Sequence, residues 1–362
     1  MKPMTHRERV LTAFSHRTPD RVPKCAGFTP PVLDTFRQQT GADDPADYFD
    51  YDVRDVGHNP PKDGRAELFK EYYPRELFDQ GLSIDPEWGY GMLHGDFHHF
   101  YRYAFPLPHI KSPADLRGYP FPDFSLPERW VGVKEEVDRL HQEGYAVAGS
   151  PVGGLDTIFE PAWLLRGETQ ILVDFYENPA LVDALLDKTT EITIDGSVRL
   201  AETGVDIMIT AMCIGTQRGL LMSPQTWRHL LKPRLAALIK AVRAVRPDIL
   251  IFFHSDGKVD AMIEDLIEIG VDILHPVQPE CMDPEQIKRD FGDALSFWGT
   301  VGTQSVLPFG TPAEVKEYVK RRIEVVGAGG GLLIAPSQAL EPEVPWENIL
   351  AFFAAVEEYG KY

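Results

Sequence analysis

Glu202-Thr203-Gly204-Val205-Asp206-Ile207 and Glu268-Ile269-Gly270-Val271-Asp272-Ile273 are near copies of each other. Each closes a helical pattern on glycine, the residue that best accepts the left-handed conformation at a helix C-terminus, and runs straight into a strand. Two such handovers read as a repeated αβ unit. From about residue 145 onward, short β-branched runs alternate with helical patterns, with candidate strands at 145–148, 206–210, 249–253, 272–274, 295–298 and 332–335. Several are unbroken apolar runs, as parallel strands buried on both faces require. The intervening segments repeat at helical spacing, as in Val259, Met262, Ile263, Leu266, Ile267 and in Ile349, Phe352, Phe353, Val356.

Helix starts are marked by a capping residue followed by proline: Asn178-Pro179, Ser223-Pro224, Asp283-Pro284 and the capping box Thr311-Pro312-Ala313-Glu314. The longer loops precede these starts, on the side where strands end. That arrangement predicts an α/β fold of the TIM-like (β/α)8 barrel type, with its active site at the C-terminal ends of the strands. An open doubly wound sheet is the alternative, but no Gly-x-Gly-x-x-Gly follows any strand to anchor a dinucleotide. The N-terminal part is less regular: residues 5–16 read as a helix and 22–28 as a first strand. Residues 85–125, rich in Gly, Pro, His and aromatics, read as a lid or an irregular insertion within a single domain spanning 1–362. The acidic stretch 43–55 reads as a solvated face.

Of 362 residues, 43% are apolar, enough for a sizeable core, and the formal charge is −19. That charge disfavours nucleic acid and anionic membranes as partners, since both need clustered Lys and Arg. No apolar run has the length of a signal-peptide core or a membrane helix, so a cytoplasmic enzyme is expected. Large barrels often pair, which leaves a homodimer open. Three scattered cysteines, Cys25, Cys213 and Cys281, make no disulfide framework or zinc knuckle.

The run 249–253 delivers His254-Ser255-Asp256-Gly257 just past a strand end. A histidine and a carboxylate two residues apart in such a turn can both face the mouth, as metal ligands or as an acid/base pair; the alternative is a buried histidine satisfied by Asp256. Cys213 follows the preceding strand and is read as a soft metal ligand, a nucleophile, or simply a small buried residue. Gln217 and Arg218 lie just beyond it, His275 ends the next strand, and Ser337-Gln338 follows the last. Gly329-Gly330-Gly331 precedes its strand, so it reads as a tight turn rather than a phosphate cradle. His94, His98 and His99 read as part of a polar, aromatic-lined lid more than as a metal cluster. Asp96-Phe97-His98 opens like the corrinoid-binding pattern Asp-x-His-x-x-Gly, but Tyr101 stands in the glycine position.

Arg7-Glu8-Arg9-Val10-Leu11-Thr12-Ala13-Phe14 with His16-Arg17-Thr18-Pro19-Asp20-Arg21-Val22-Pro23 resembles the opening of the uroporphyrinogen decarboxylase superfamily, in its methyltransferase-like branch. The resemblance continues through Tyr119-Pro120-Phe121-Pro122-Asp123, Gly215-Thr216-Gln217, Leu221-Met222-Ser223-Pro224, Phe253-His254-Ser255-Asp256-Gly257, Pro276-Val277-Gln278-Pro279 and Leu307-Pro308-Phe309-Gly310-Thr311-Pro312, covering essentially the whole chain. It implies a TIM-like barrel. True uroporphyrinogen decarboxylases carry arginines in a segment like Met-Arg-Gln-Ala-Gly-Arg; here Ala26-Gly27-Phe28-Thr29-Pro30 stands in that region, which argues against the haem-pathway reaction.

The branch resembles enzymes that move a methyl group between a small substrate, such as a methoxylated aromatic, and a corrinoid protein. In its thiol-methylating members, zinc is held by His-x-Cys and a distant cysteine, positions that match His254, Asp256 and Gln338 here. A carboxylate in place of a thiolate makes the site harder, and an amide is a poor zinc ligand. The resemblance therefore implies a methyltransferase or O-demethylase component with zinc on His254 and Asp256, Cys213 as a further ligand, and a corrinoid brought by a separate protein. Gln217, Arg218, His275 and Gln338 are expected to face the substrate, and Trp88, with Tyr90 and Phe97 of the lid, to stack on an aromatic one. The runner-up is a metal-free carboxy-lyase using Asp256 as acid/base and Arg218 as carboxylate anchor; a barrel that binds a ligand without chemistry comes third.

Overall fold

A computed structural model of the protein describes residues 3–95, 101–152 and 157–362. Its strands are β1 (Val53–Gly57), β2 (Ser83–Ile84), β3 (Gly91–His94), β4 (Tyr101–Ala104), β5 (Ala146–Ser150), β6 (Ile207–Ala211), β7 (Leu250–His254), β8 (Ile273–His275), β9 (Ser296–Val301) and β10 (Leu332–Pro336). Seven of them form one parallel sheet in the order β1-β5-β6-β7-β8-β9-β10. Both repeated units end as the sequence requires. Gly204 and Gly270 cap their helices with φ of 98° and 94°, and β6 and β8 begin three residues later.

The first strand expected at 22–28 is not a ladder strand. Residues 23–25 instead form only an isolated bridge to β10, with the Ile334 amide donating to Pro23 O (2.9 Å) and the Cys25 amide to Ile334 O (3.4 Å), while the Asp52 amide, one residue before β1, donates to Lys24 O (3.1 Å). Pro23 has no amide hydrogen to give, which limits the pairing this segment can sustain. The sheet thus curls until its first and last strands meet the same short segment.

Strand periodicity sorts the core into two parts. Ala146, Ala148, Ile207, Ile209, Phe252, Ile273, Trp298, Leu333 and Ala335 share one buried cluster, to which the N-terminal helix His6–Phe14 contributes Val10 and Phe14. Their neighbours Val147, Met208, Ile251, Phe253, Leu274, Phe297, Leu332 and Ile334 are buried on the opposite face, among the helices or their packing partners. A file of rings runs through the inner cluster: Phe14 on Trp298 (centroids 6.2 Å), Trp298 edge-on to Phe252 (5.2 Å), Phe252 against His275 (5.0 Å) and His275 against His254 (4.9 Å).

At the opposite end of the strands, three aspartates stand immediately before β1, β6 and β8. Asp52 accepts from the Lys24 amide, Asp206 from the Val147 amide and Asp272 from the Ile251 amide, each carboxylate tying its strand to a neighbouring segment. Asp206 also holds Arg7 and His141. The stretch 43–55 exposes Asp43, Asp44, Asp47 and Asp50 as a solvated face should, but Asp52 departs from that reading. It is fully buried, and His6 (2.9 Å), Arg9 (2.7 Å) and Arg21 (2.8 Å) all close on it. Cations distant in sequence neutralise it, and β1 begins at the next residue.

Arg9 also grips Asp20 through two bonds of 2.7 and 3.0 Å. Burial alone would raise the Asp20 carboxyl, but Arg9 and the Met4 amide outweigh it and bring it down to about 2. A carboxyl depressed in the folded state stabilises the fold above its unfolded value, about 3.9, and loses that contribution as pH falls through the folded value. Thermal melts should therefore show Asp20→Asn losing less stability than the wild type between about pH 4 and pH 2.

The region 85–125 is more ordered than its composition predicts. β2, β3 and β4 form a small antiparallel sheet, with Met92 opposite both Ser83 and Tyr103. The expectations placed on Asp96, Phe97, His98 and His99 lie outside the described residues. The longest described helix, Pro179–Thr203, spans 25 residues, and no described helix is long and apolar enough to cross a membrane.

Candidate functional site

Parity on the strands decides what the sheet presents at its C-terminal end. Leu250 and Phe252 face inward, so His254 does too, and Ile273 sets His275 to the same face. Register then aligns three strands: Ala211 of β6 pairs with His254 of β7, and His254 with His275 of β8. Cys213 and Asp256 are each two residues beyond that row, on adjacent loops. These loops lie backbone to backbone: a Cβ on Gly215 would stand 2.3 Å from Asp256 O, and one on Gly257, whose φ is 79°, 2.6 Å from Thr216 O. Only glycine permits both the conformation and the approach. The Ile214 amide donates to Ser255 Oγ and the Gly257 amide to Gln278 Oε1, fixing the turn.

Ligand atoms of Cys213, His254 and Asp256 consequently lie within 4.8 Å of one another, the one such group among the described residues. His254 Nε2 stands 3.8 Å from Asp256 Oδ2. Ligands about 2.0–2.3 Å from a tetrahedral zinc are on the order of 3.3–3.8 Å apart, so small side-chain rotations suffice to close three donors on one ion and leave a fourth position open. The donor set, one sulfur, one imidazole and one carboxylate, suits zinc.

The electrostatics agree with ligation. Burial pushes the His254 ring below its usual pKa, against the opposing pull of Asp256, and burial with the neighbouring His254 pushes His275 well below. Neutral imidazole is the form that offers a lone pair. His254 is 2% exposed, whereas the Asp256 side chain is 41% exposed, so the group has a dry side and a wet side.

The remaining expected residues separate. Gln338 does not stand apart as a substrate contact: its Nε2 donates to both Asp256 oxygens, at 2.8 and 2.7 Å, and so orients the carboxylate. His275 places its Nδ1 2.7 Å from His254 Nδ1. Gln217 is exposed and bridges two other loops, donating to Gln304 Oε1 (3.3 Å) and accepting from Cys281 Sγ (3.1 Å). Arg218 is exposed in the tight turn closed by the Gly215–Leu220 bridge, with its guanidinium unpaired among the described residues. Trp88 is 5% exposed, packed in the main core with its carbonyl bonded to Tyr119; little of its ring is left for a ligand. His94 is exposed and packs on Tyr101.

Glu160 escaped the sequence reading. It lies in the first turn of the helix Phe159–Arg166 that follows β5, and burial raises its carboxyl to about 7. Trp163, one turn on, packs edge-on against Tyr103 at 5.7 Å. A lone Glu in Phe-Glu-Pro-Ala-Trp has no local signature; only the burial reveals it.

The family model for uroporphyrinogen decarboxylase (URO-D) matches residues 107–359, which include all of β5 to β10 and every residue of the group just described. The chain belongs to the uroporphyrinogen decarboxylase family. Within that family it is similar to the methylcobamide:CoM methyltransferase MtaA of Methanosarcina barkeri, at 30% identity over 247 residues, 68% of this chain and 69% of that one. It is also similar to the uroporphyrinogen decarboxylase of Coxiella burnetii, at 24% identity over 188 residues, 51% of this chain and 49% of that one. Among solved structures, a methyltransferase from Methanosarcina mazei superposes with a TM-score of 0.68 over 98% of this chain and 99% of its own, at 20% identity, a likeness of fold. Together these place this uroporphyrinogen decarboxylase-family chain in the methyltransferase-like branch.

Proposed function

We propose that this chain is a methyltransferase that passes a methyl group between a small substrate and a corrinoid carried by a separate protein, with zinc held by Cys213, His254 and Asp256. The observation that carries the reading is the convergence of those three donors within 4.8 Å at the strand ends. The M. barkeri relative, named a methylcobamide:CoM methyltransferase, supports the methyl transfer and the corrinoid. On this reading the whole chain is one barrel domain, with residues 23–25 in the eighth place.

Zinc bound there supplies Lewis acidity toward the heteroatom that loses or gains the methyl group. The protein's own part is placement. Asp256 keeps its orientation through Gln338, and His254 presents a neutral nitrogen from the dry side. One sulfur beside one carboxylate makes a harder site than a thiolate-rich one, which favours an ether oxygen, as in a methoxylated aromatic, over a thiol. Arg218, whose guanidinium has no partner among the described residues, is suited to hold an anionic group of that substrate.

Elemental analysis of the purified chain tests the reading: one zinc per chain is expected. Protein that stays metal-free after incubation with excess zinc would sink it, and would favour the metal-free lyase chemistry in which Asp256 and Arg218 act on a carboxylated substrate.

A further inference from the structure

We propose that His275 is a positioning residue: it accepts the Nδ1 hydrogen of His254 and thereby turns the bare Nε2 of His254 toward Cys213 and Asp256. The inference rests on the zinc reading for its purpose but on geometry for its content. Two ring nitrogens 2.7 Å apart need a single hydrogen between them, so one ring donates and the other accepts.

Surroundings decide which. Were His275 the donor, the hydrogen of His254 would sit on Nε2, where the nearest carboxylate oxygen is Asp256 Oδ2 at 3.8 Å. That is too long for a hydrogen bond, and both Asp256 oxygens already accept from Gln338. His254 is 2% exposed, so water has little access to satisfy the donor, and a buried donor left unmade is costly. Were His254 the donor, the second hydrogen would sit on Nε2 of the half-buried His275, which solvent reaches more easily.

The backbone of His275 is built to hold its ring there. Its carbonyl accepts from the Ser255 amide (3.1 Å), and the next carbonyl, of Pro276, accepts from the Thr300 amide (3.0 Å). Thr300 adopts a φ of 75°, a conformation that threonine rarely takes and that the surroundings must impose. Phe252 packs the ring from below. A ligating histidine commonly gives its second N–H to a carboxylate or carbonyl; here a second imidazole does the accepting.

Long-range proton–nitrogen spectra of the 15N-labelled, metal-free wild type, with His254 assigned by its loss in His254→Gln, should show a hydrogen on Nδ1 and a bare Nε2. A hydrogen on Nε2 of His254 overturns the proposal. Zinc titration against a chromophoric chelator gives a second readout. His275→Phe, which keeps a ring but no acceptor, should bind zinc about 10–100-fold more weakly, and His275→Gln, whose Oε1 accepts, should recover most of that loss. Wild-type affinity in His275→Phe, or no recovery with glutamine, overturns it. A wild type that binds no zinc at all defeats the metal reading instead, and the tautomer spectrum still judges His275.

Discussion

His254→Ala should strip the protein of zinc and lower methyl transfer by on the order of 10³-fold. The expectation follows from where the side chain stands. His254 is the most enclosed of the three donors, and it is the one tied by register to both neighbouring strands, to Ala211 on one side and His275 on the other. Removing it leaves a thiol and a carboxylate on two adjacent loops, too few ligands for a tetrahedral ion. A metal acting as Lewis acid contributes several kcal/mol to a transition state, and each 1.36 kcal/mol is tenfold in rate. Zinc content by mass spectrometry and turnover with a methoxylated aromatic and a reduced corrinoid protein should fall together. Full zinc occupancy in the alanine variant would show that the ion sits elsewhere.

Asp52→Ala should cost about 3 kcal/mol of stability, roughly 4 °C in Tm for a chain of this length, although it is remote from that chemistry. Its carboxylate is the common acceptor for His6 and Arg9 of the N-terminal helix, for Arg21, and for the amide of Lys24 in the segment that meets both edges of the sheet. Alanine leaves two guanidiniums in a nearly dry place with one acceptor fewer. Arg9 keeps Asp20, which holds the loss near the lower end of what breaking a buried pair costs. Asp138→Ala, which removes only the exposed pair with Lys134, provides the control and should change stability by no more than about 0.5 kcal/mol. Equal melting temperatures for the two variants would show that the Asp52 cluster does not hold the sheet closed.

Most of the parallel strands were legible because each carries its own evidence locally. The six expected between residues 145 and 335 fall within a few residues of β5 to β10, since β-branched runs bounded by capped helices need no distant partner to be recognised. His254, Asp256 and Cys213 were legible for the same reason: a polar residue just past a buried strand marks the mouth of such a fold. What was illegible depends on pairs far apart in the chain. β1 is masked by the acidic run around it, because the arginines that neutralise Asp52 come from 31 and 43 residues earlier. Gln338 meets Asp256 across 82 residues, and nothing local distinguishes an amide that orients a carboxylate from one that contacts a substrate. His275 was placed at the right end of its strand, but its partner follows from register, not from its neighbours in sequence.

The file of rings from Phe14 through Trp298 and Phe252 to His275 has a consequence for traffic. It fills the centre of the curled sheet from the N-terminal helix up to His254, so the Cys213, His254 and Asp256 group is closed from that side. Nothing arrives through the back wall. On the proposed function, the small molecule that carries the methyl group and the corrinoid protein would have to use one doorway, and a bulky visitor standing there would shut in whatever smaller molecule entered first.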